Sequence, residues 1–274
     1  MMNRANSHTG EGCDMILAID AGNTEIALGI YGKDGRLGHH WRVSTDHRKT
    51  EDDYGMLLVS FLGMAGIKSI GLRGCVIASV VPPLTPVLER AVLKYVGKEP
   101  IVVGPGTKTG INVKFENPKE VGPDRIAHAV AALHKYGVPA IVVDFGTATT
   151  FDVISKDGDY LGGVIAPGIR TSLDALFEKA ARLPRIELAR PQSAIGKTTS
   201  QGMQSGMVFG FAGLVDGLIR RLAKEMSGKP NVIATGRLAE MVSCECETIE
   251  TVDQFLALDG LYFIYEKNER TDER

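Results

Sequence analysis

The chain has 274 residues, a length suited to two domains of about 100–150 residues and sufficient for a sizeable core. Its 44% hydrophobic and 23% charged content is that of a globular protein and argues against a disordered, collagenous or membrane-spanning chain. With 31 Lys and Arg against 33 Asp and Glu, a net charge of −2, and no basic run, the footprint of a nucleic-acid binder is missing and a small-molecule partner is favoured.

Residues 1–14 are polar and turn-rich and read as a disordered extension ahead of a strand that begins at Met15. No signal-peptide segment and no apolar run of membrane-span length is read. From Ile16 to Ile30 the chain runs ILAIDAGNTEIALGI: an apolar strand, an Asp-x-Gly turn and a second β-rich run. A Lys33-Asp34-Gly35 turn and a third strand complete a meander. Tyr54, Leu57, Leu58, Phe61, Leu62 and Ala65 recur at helical period, as do Leu84, Leu88, Ala91, Val92 and Tyr95, with a strand expected over Gly74–Val81 between them. Ile126, Val130 and Leu133 mark a linking helix.

Ala140 to Ile154, AIVVDFGTATTFDVI, then repeats the first motif, its Asp144 standing 124 residues after Asp20. A Lys156-Asp157-Gly158 turn and another strand follow, then a helix through Leu173, Leu176 and Phe177, a strand over Val232–Thr235 and a last helix near Phe255–Tyr265. The pattern predicts a duplicated α/β protein, each half a mixed sheet flanked by helices, divided as 15–121 and 122–274. Gly202, Gly206, Gly210, Gly213 and Gly217 share one helical face. Glycine costs about 1 kcal/mol against alanine inside a helix, so close packing within the domain is expected to offset it, with a homodimer interface as the alternative. Gln204, Asp216, Arg220 and Arg221 interrupt this stretch and oppose a membrane reading. Cys13, Cys75, Cys244 and Cys246 are too few and scattered for a disulfide framework and suit a reducing, cytoplasmic compartment.

The paired turns carry the chemistry. After a strand, Gly22 and Gly146 let backbone approach an anion, while Asn23, Thr24, Thr147 and Thr149 offer donors to phosphate oxygens. Asp20 and Asp144 beside phosphates require a cation between the charges. One such turn is equally a plain hairpin; two in order favour a phosphate site. Asp124 follows Pro123 at the start of an apolar-periodic helix, where a carboxylate either caps the helix or serves as a base. Arg125 reads either as a site residue or as a solvated helix residue, and His128 as packing that could also line a cleft.

The arrangement resembles the actin, Hsp70 and sugar-kinase superfamily, two ribonuclease H-like domains facing a cleft. More narrowly, IDAGNT (Ile19–Thr24), WRVSTD (Trp41–Asp46), SVVPPLT (Ser79–Thr85), ENPKEVGPDR (Glu116–Arg125), DFGTATT (Asp144–Thr150), GGVIAPG (Gly162–Gly168) and MQSG (Met203–Gly206) resemble type III pantothenate kinase. The resemblance implies ATP-dependent phosphorylation of pantothenate to 4'-phosphopantothenate, the first step of coenzyme A synthesis, by a cytoplasmic homodimer dimerising through its second half. It implies ATP contacts at Asp20, Ala21, Gly22, Asn23, Thr24, Glu25, Ile26, Ala27 and Thr147, with Mg2+ arriving with ATP. It likewise implies a monovalent cation, K+ or NH4+, on Asp144, pantothenate contacts at Gly122, Pro123, Asp124, Arg125 and Thr199, and Asp124 as the proton acceptor.

Two positions depart from the family pattern: Phe115 stands where a tyrosine touches pantothenate, and Arg237 follows Gly236 where a second glycine is common. Competing readings are a sugar- or acetate-directed kinase or polyphosphate-type phosphatase of the same superfamily, and a non-catalytic, nucleotide-sensing accessory protein. The Glu116–Arg125 segment and the presence of all three aspartates favour pantothenate kinase.

Overall fold

The computed structural model describes residues 14–272, which divide into two compact units: residues 14–107 with 265–272, and residues 108–264. The expected extension lies outside the described residues except for Asp14, which pairs with Lys33 at 2.9 Å.

In the first unit, β1 (Met15–Ala21), β2 (Glu25–Tyr31) and β3 (Leu37–Ser44) form the expected meander. After α1 (Glu51–Met64) the chain returns as β4 (Leu72–Ser79), parallel to β1, then α2 (Thr85–Val96) and β5 (Pro100–Val102), giving the order β3-β2-β1-β4-β5. The uninterrupted apolar run of β1 is explained by burial on both faces. Leu17, Ile19 and Ala21 join a core built with Tyr54, Leu58 and Leu62 of α1 and Leu88, Ala91 and Val92 of α2, while Ile16 and Ala18 are buried on the other side. A capping box between Thr50 and Asp53 starts α1, and left-handed Gly97 (φ 72°) ends α2.

The second unit repeats this order. It comprises β6 (Asn112–Val113), α3 (Pro123–Lys135), β7 (Ala140–Phe145), β8 (Ala148–Ile154), β9 (Asp159–Pro167), α4 (Ile169–Lys179), α5 (Thr199–Glu225), β10 (Asn231–Thr235), α6 (Ala239–Ser243) and β11 (Thr251–Val252). The last helix, α7 (Leu256–Asp272), begins here and contributes its final turns to the first unit. The sheet reads β11-β10-β7-β8-β9-β6, so β9, β8, β7, β10 and β11 match β3, β2, β1, β4 and β5, with β6 added at one edge. Ile141, Val143 and Phe145 face a core made with α4, α5 and α6. Ala140 and Val142 are buried on the opposite face, and α3 packs on β7 and β8.

The division falls at residue 107/108 rather than 121/122 for a physical reason: Asn112 and Val113 pair with Asp159 and Tyr160 of β9, which ties the segment before α3 into the second sheet. The end of α7 packs on β4 of the first unit, where Arg73 pairs with Glu266 and Glu269 and Gly74 leaves the space that Tyr265 fills.

Two other expectations are corrected in α5. By length and composition this helix is long and apolar enough to cross a membrane, yet half of its apolar window is buried within the protein, and Met203, Met207, Phe211, Val215 and Ile219 are core residues of the second unit. Its buried Asp216 accepts bonds from the backbone N–H groups of Glu247 and Thr248 and from the Thr248 hydroxyl. Nor does packing within the domain account for the glycine face: Gly202, Gly206, Gly210 and Gly213 are exposed, and a Cβ on any of them would meet no atom within 4 Å.

Close backbone approach is real instead at Gly260 of α7, where a Cβ would overlap the carbonyl of Ala127 in α3. Lys135 beside this crossing pairs with Asp253 and Asp259, and the Tyr136 hydroxyl donates to Asp253 at 2.8 Å. Gly260→Ala is expected to cost about 1–3 kcal/mol by forcing the two helices apart, read as a fall of several degrees in Tm by calorimetry; an unchanged Tm would contradict this packing.

Candidate functional site

Both Asp-x-Gly turns lie at the end of a central strand, and each is held by a threonine. In the first unit Asp20 stands opposite Ala27, and Gly22 N–H closes the turn onto the Glu25 carbonyl at 2.9 Å. Thr45 donates its hydroxyl to the Gly22 carbonyl at 2.7 Å and its N–H to the Thr24 carbonyl at 2.9 Å, while the Tyr54 hydroxyl donates to the Asp46 carbonyl at 3.0 Å. Asn23 and Thr24 are exposed at the tip. Ala21 and Ile26 of the expected ATP segment are buried in the core and position the turn; their side chains face no solvent.

The second turn is one residue shorter. Ala21 pairs with Ile26 across the first, whereas Phe145 pairs with Thr149 across the second. The ungapped repeat therefore slips by one after the turn, and the following Lys-Asp-Gly turns are 123 rather than 124 residues apart. Here the Thr147 carbonyl accepts from Gly168 N–H at 3.1 Å and from the Thr171 hydroxyl at 2.7 Å. A Cβ on Gly168 would overlap the carbonyls of Thr147 and, almost as closely, Gly146, so the turn rests against the N-terminus of α4, where unpaired N–H groups favour anions. Asp144 lies beside two glycines: a Cβ on Gly146 would stand 3.0 Å from its Oδ2, and one on left-handed Gly236 (φ 91°) would overlap its Oδ1. Arg237 follows directly.

The same unit carries Asp124 in the first turn of α3, after Gly122 and Pro123, with Oδ1 accepting the Arg125 N–H at 2.8 Å. The N-cap of α3 is Gly122 and not Asp124, so the carboxylate does not cap the helix; it is half-buried, takes one free N–H of the first turn and keeps a second oxygen. Arg125 is not a solvated helix residue: its side chain is 12% exposed, its Nε donates to Asp152 Oδ1 at 2.6 Å and its Nη2 to the Phe151 carbonyl at 3.2 Å. The Tyr160 hydroxyl donates to the same Asp152 oxygen at 2.8 Å, and His128 Nδ1 lies 3.8 Å from the other. Gly163, opposite Asp152, admits this group, since a Cβ there would overlap the Phe151 carbonyl and stand 3.0 Å from Arg125 Nη2. Pairing of β6 with β9 brings Phe115 to the neighbouring glycine, where a Cβ on Gly162 would lie 3.3 Å from its ring. Thr199 is exposed at the start of α5, and no contact joins it to Asp124 or Arg125.

The pattern of residues 16–221 matches the family model for type III pantothenate kinase, a span that contains both turns and Asp124. The chain belongs to the type III pantothenate kinase family. Among solved structures it is similar to a Baf family transcriptional activator from Campylobacter jejuni, at 20% identity over 93% of this chain and 99% of that one, with a TM-score of 0.57. It is also similar to the activator of 2-hydroxyisocaproyl-CoA dehydratase from Clostridium difficile with bound ADPNP, at 13% identity over 95% and 98% of the two chains and a TM-score of 0.53. A polyphosphate/ATP-glucomannokinase from Arthrobacter sp. strain KM matches at 15% identity over 93% and 99%, TM-score 0.50. At these identities the likeness shows the fold, the actin, Hsp70 and sugar-kinase type expected from the duplicated sheets.

Among the described residues no three His, Cys, Asp or Glu side chains cluster as a metal site. Asp144 stands between Gly146 and Gly236, where an added side-chain carbon would crowd its two oxygens.

Asp152, Tyr160 and His128 complete a site that sequence reasoning reached only in part. The available signal was an aspartate between Phe151 and Val153 in an otherwise apolar strand. Burial by itself would hold His128 neutral, but the Asp152 carboxylate and the charges of Asp144 and Asp124 outweigh it and push its pKa up to about 9. Because the folded-state value lies above the usual 6.5, the stabilisation is complete below about pH 6.5 and is lost as pH rises through about 9. Melting curves from pH 6 to 10 should therefore show the Tm advantage of the wild type over His128→Asn shrinking across that window. A difference independent of pH would refute the charged pair.

Proposed function

We propose that this protein transfers the γ-phosphoryl group of ATP to the primary hydroxyl of pantothenate, giving 4'-phosphopantothenate for coenzyme A synthesis. The observation that carries the reading is the family match across residues 16–221, within which Asp20, Asp124 and Asp144 all stand at the ends of elements rather than inside them. Phosphoryl transfer needs alignment and charge neutralisation more than covalent help. In this reading the first turn, Asp20–Ala27, and Thr147 in the second receive the nucleotide phosphates. Asp124 accepts the proton of the attacking hydroxyl, and its fixed place in the first turn of α3 suits that task. Gly122, Pro123, Arg125 and Thr199 contact pantothenate. Phe115 gives ring packing over Gly162 without the hydroxyl of the family's tyrosine. Mg2+ arriving with ATP supplies charge neutralisation, and Asp144 holds K+ or NH4+.

Purified protein should consume ATP when given pantothenate, and more slowly in buffer whose only monovalent cation is sodium. Asp124→Asn keeps an oxygen that can accept the Arg125 N–H but removes the proton acceptor. It should retain its Tm and lose about 10²–10⁴-fold in kcat, with pantothenate Kd little changed. Near-wild-type turnover in that variant would remove Asp124 from the mechanism. No ATP consumption by the wild type would favour the accessory-protein reading.

We further propose that the protein is a homodimer through the exposed glycine face of α5, because among the described residues nothing covers Gly202, Gly206, Gly210 and Gly213. Gly206→Trp should shift the wild-type species to half its mass in analytical ultracentrifugation. A monomeric wild type, or a variant that still dimerises, would overturn the interface.

A further inference from the structure

Asp152 is the most deeply buried carboxylate of the second unit, fully enclosed in the middle of β8. A buried charge of this kind is sustained only by a partner, and an ion pair here brings no stability that apolar packing could not match. Its geometry is that of a fixture. One oxygen takes both Arg125 Nε and the Tyr160 hydroxyl; the other faces His128, and neither that oxygen nor His128 Nδ1 completes a hydrogen bond. Arg125 Nη2 is spent on the Phe151 carbonyl, and the guanidinium lies over the Tyr160 ring at 5.9 Å. A planar fork held at two nitrogens cannot rotate, so Nη1, which makes no hydrogen bond to the described residues, has a fixed direction one residue from Asp124.

We propose that Asp152 is a positioning residue for the alcohol substrate, acting through Arg125. Strands β8 and β9 thereby set the aim of the guanidinium that α3 presents next to its base, and Tyr160 keeps the accepting oxygen in place. The inference rests on the pantothenate-kinase reading and deepens it: Arg125 meets the substrate, and Asp152, which the substrate does not reach, decides how.

The test uses the full-length protein, with KM for pantothenate and for ATP measured separately and Tm recorded for each variant. Asp152→Asn keeps the volume and an acceptor for Tyr160 but not the charge. It should raise the pantothenate KM at least tenfold while the ATP KM stays within twofold. Because Asp152 acts through Arg125, the same substitution in an Arg125→Lys background should shift the pantothenate KM less than twofold further. Tyr160→Phe removes one hydrogen bond and leaves the ion pair, so its folding does not depend on a buried charge left unmatched, as that of Asp152→Asn does; it should raise the pantothenate KM about two- to tenfold in the wild-type background alone. Equal effects in both backgrounds, parallel changes in both KM values, or a lowered Tm with both constants unchanged would overturn the positioning role. A wild-type protein that does not consume ATP with pantothenate would overturn the kinase reading and this role together.

Discussion

A carboxylate in the middle of a buried strand is tolerable only where an opposite charge reaches it, and the second unit is arranged around that requirement at Asp152. Arg125 must come down from α3, so the first turn of that helix is held against β8. Gly163 must lack a side chain for the guanidinium to pass, and Tyr160 must stand on β9 to supply the second donor. The bulge between Val153 and Ile154 in the pairing of β8 with β9 adjusts the spacing of Tyr160 and the two glycines. One charge thus correlates α3 and two strands, and the turn carrying Asp124 inherits its position from them.

The duplicated halves show how one local device is reused with a small change. In each, an apolar strand buried on both faces ends in aspartate and then glycine, and the following turn is held by a threonine hydroxyl donating to a backbone carbonyl. The clamp comes from different places: Thr45 follows the third strand of the first unit, whereas Thr171 lies in the first turn of α4. Shortening the second turn by one residue keeps the strands antiparallel while shifting the later residues one step along β8 relative to an ungapped match. Phe151 thereby takes the core-facing place of Leu28, and Asp152 falls on the face toward α3.

Glycine serves two opposite ends in this chain. At Gly74, Gly163, Gly168 and Gly260 a single added carbon would collide with a neighbour, so the residue is a condition of packing. Along α5 the glycines at 202, 206, 210 and 213 face outward with space around them, and no contact among the described residues offsets their cost in helix propensity. The two kinds cannot be told apart by spacing, because spacing records which residues share a face and not what lies opposite.

Much of this was legible in the sequence. Apolar runs closed by turns placed both meanders, and period-3.6 patterns placed the helices at Tyr54–Ala65, Leu84–Tyr95 and Ile126–Leu133, because a helix with one apolar face can bury it in only one way. The repeated Asp-x-Gly segments were legible as turns, since local backbone geometry is written in those residue types. The short strands at Pro100, Asn112 and Thr251 were not legible, since two or three residues carry no period and exist only because a neighbouring edge was open to them. Nor was the partner of Arg125: Asp152 is 27 residues away, and only folding of the sheet against α3 brings the two charges to 2.6 Å. Sequence determines which side chains can be charged, flexible or apolar; which charge meets which, and at what depth from water, is a property of long-range packing, and tertiary structure alone decided it.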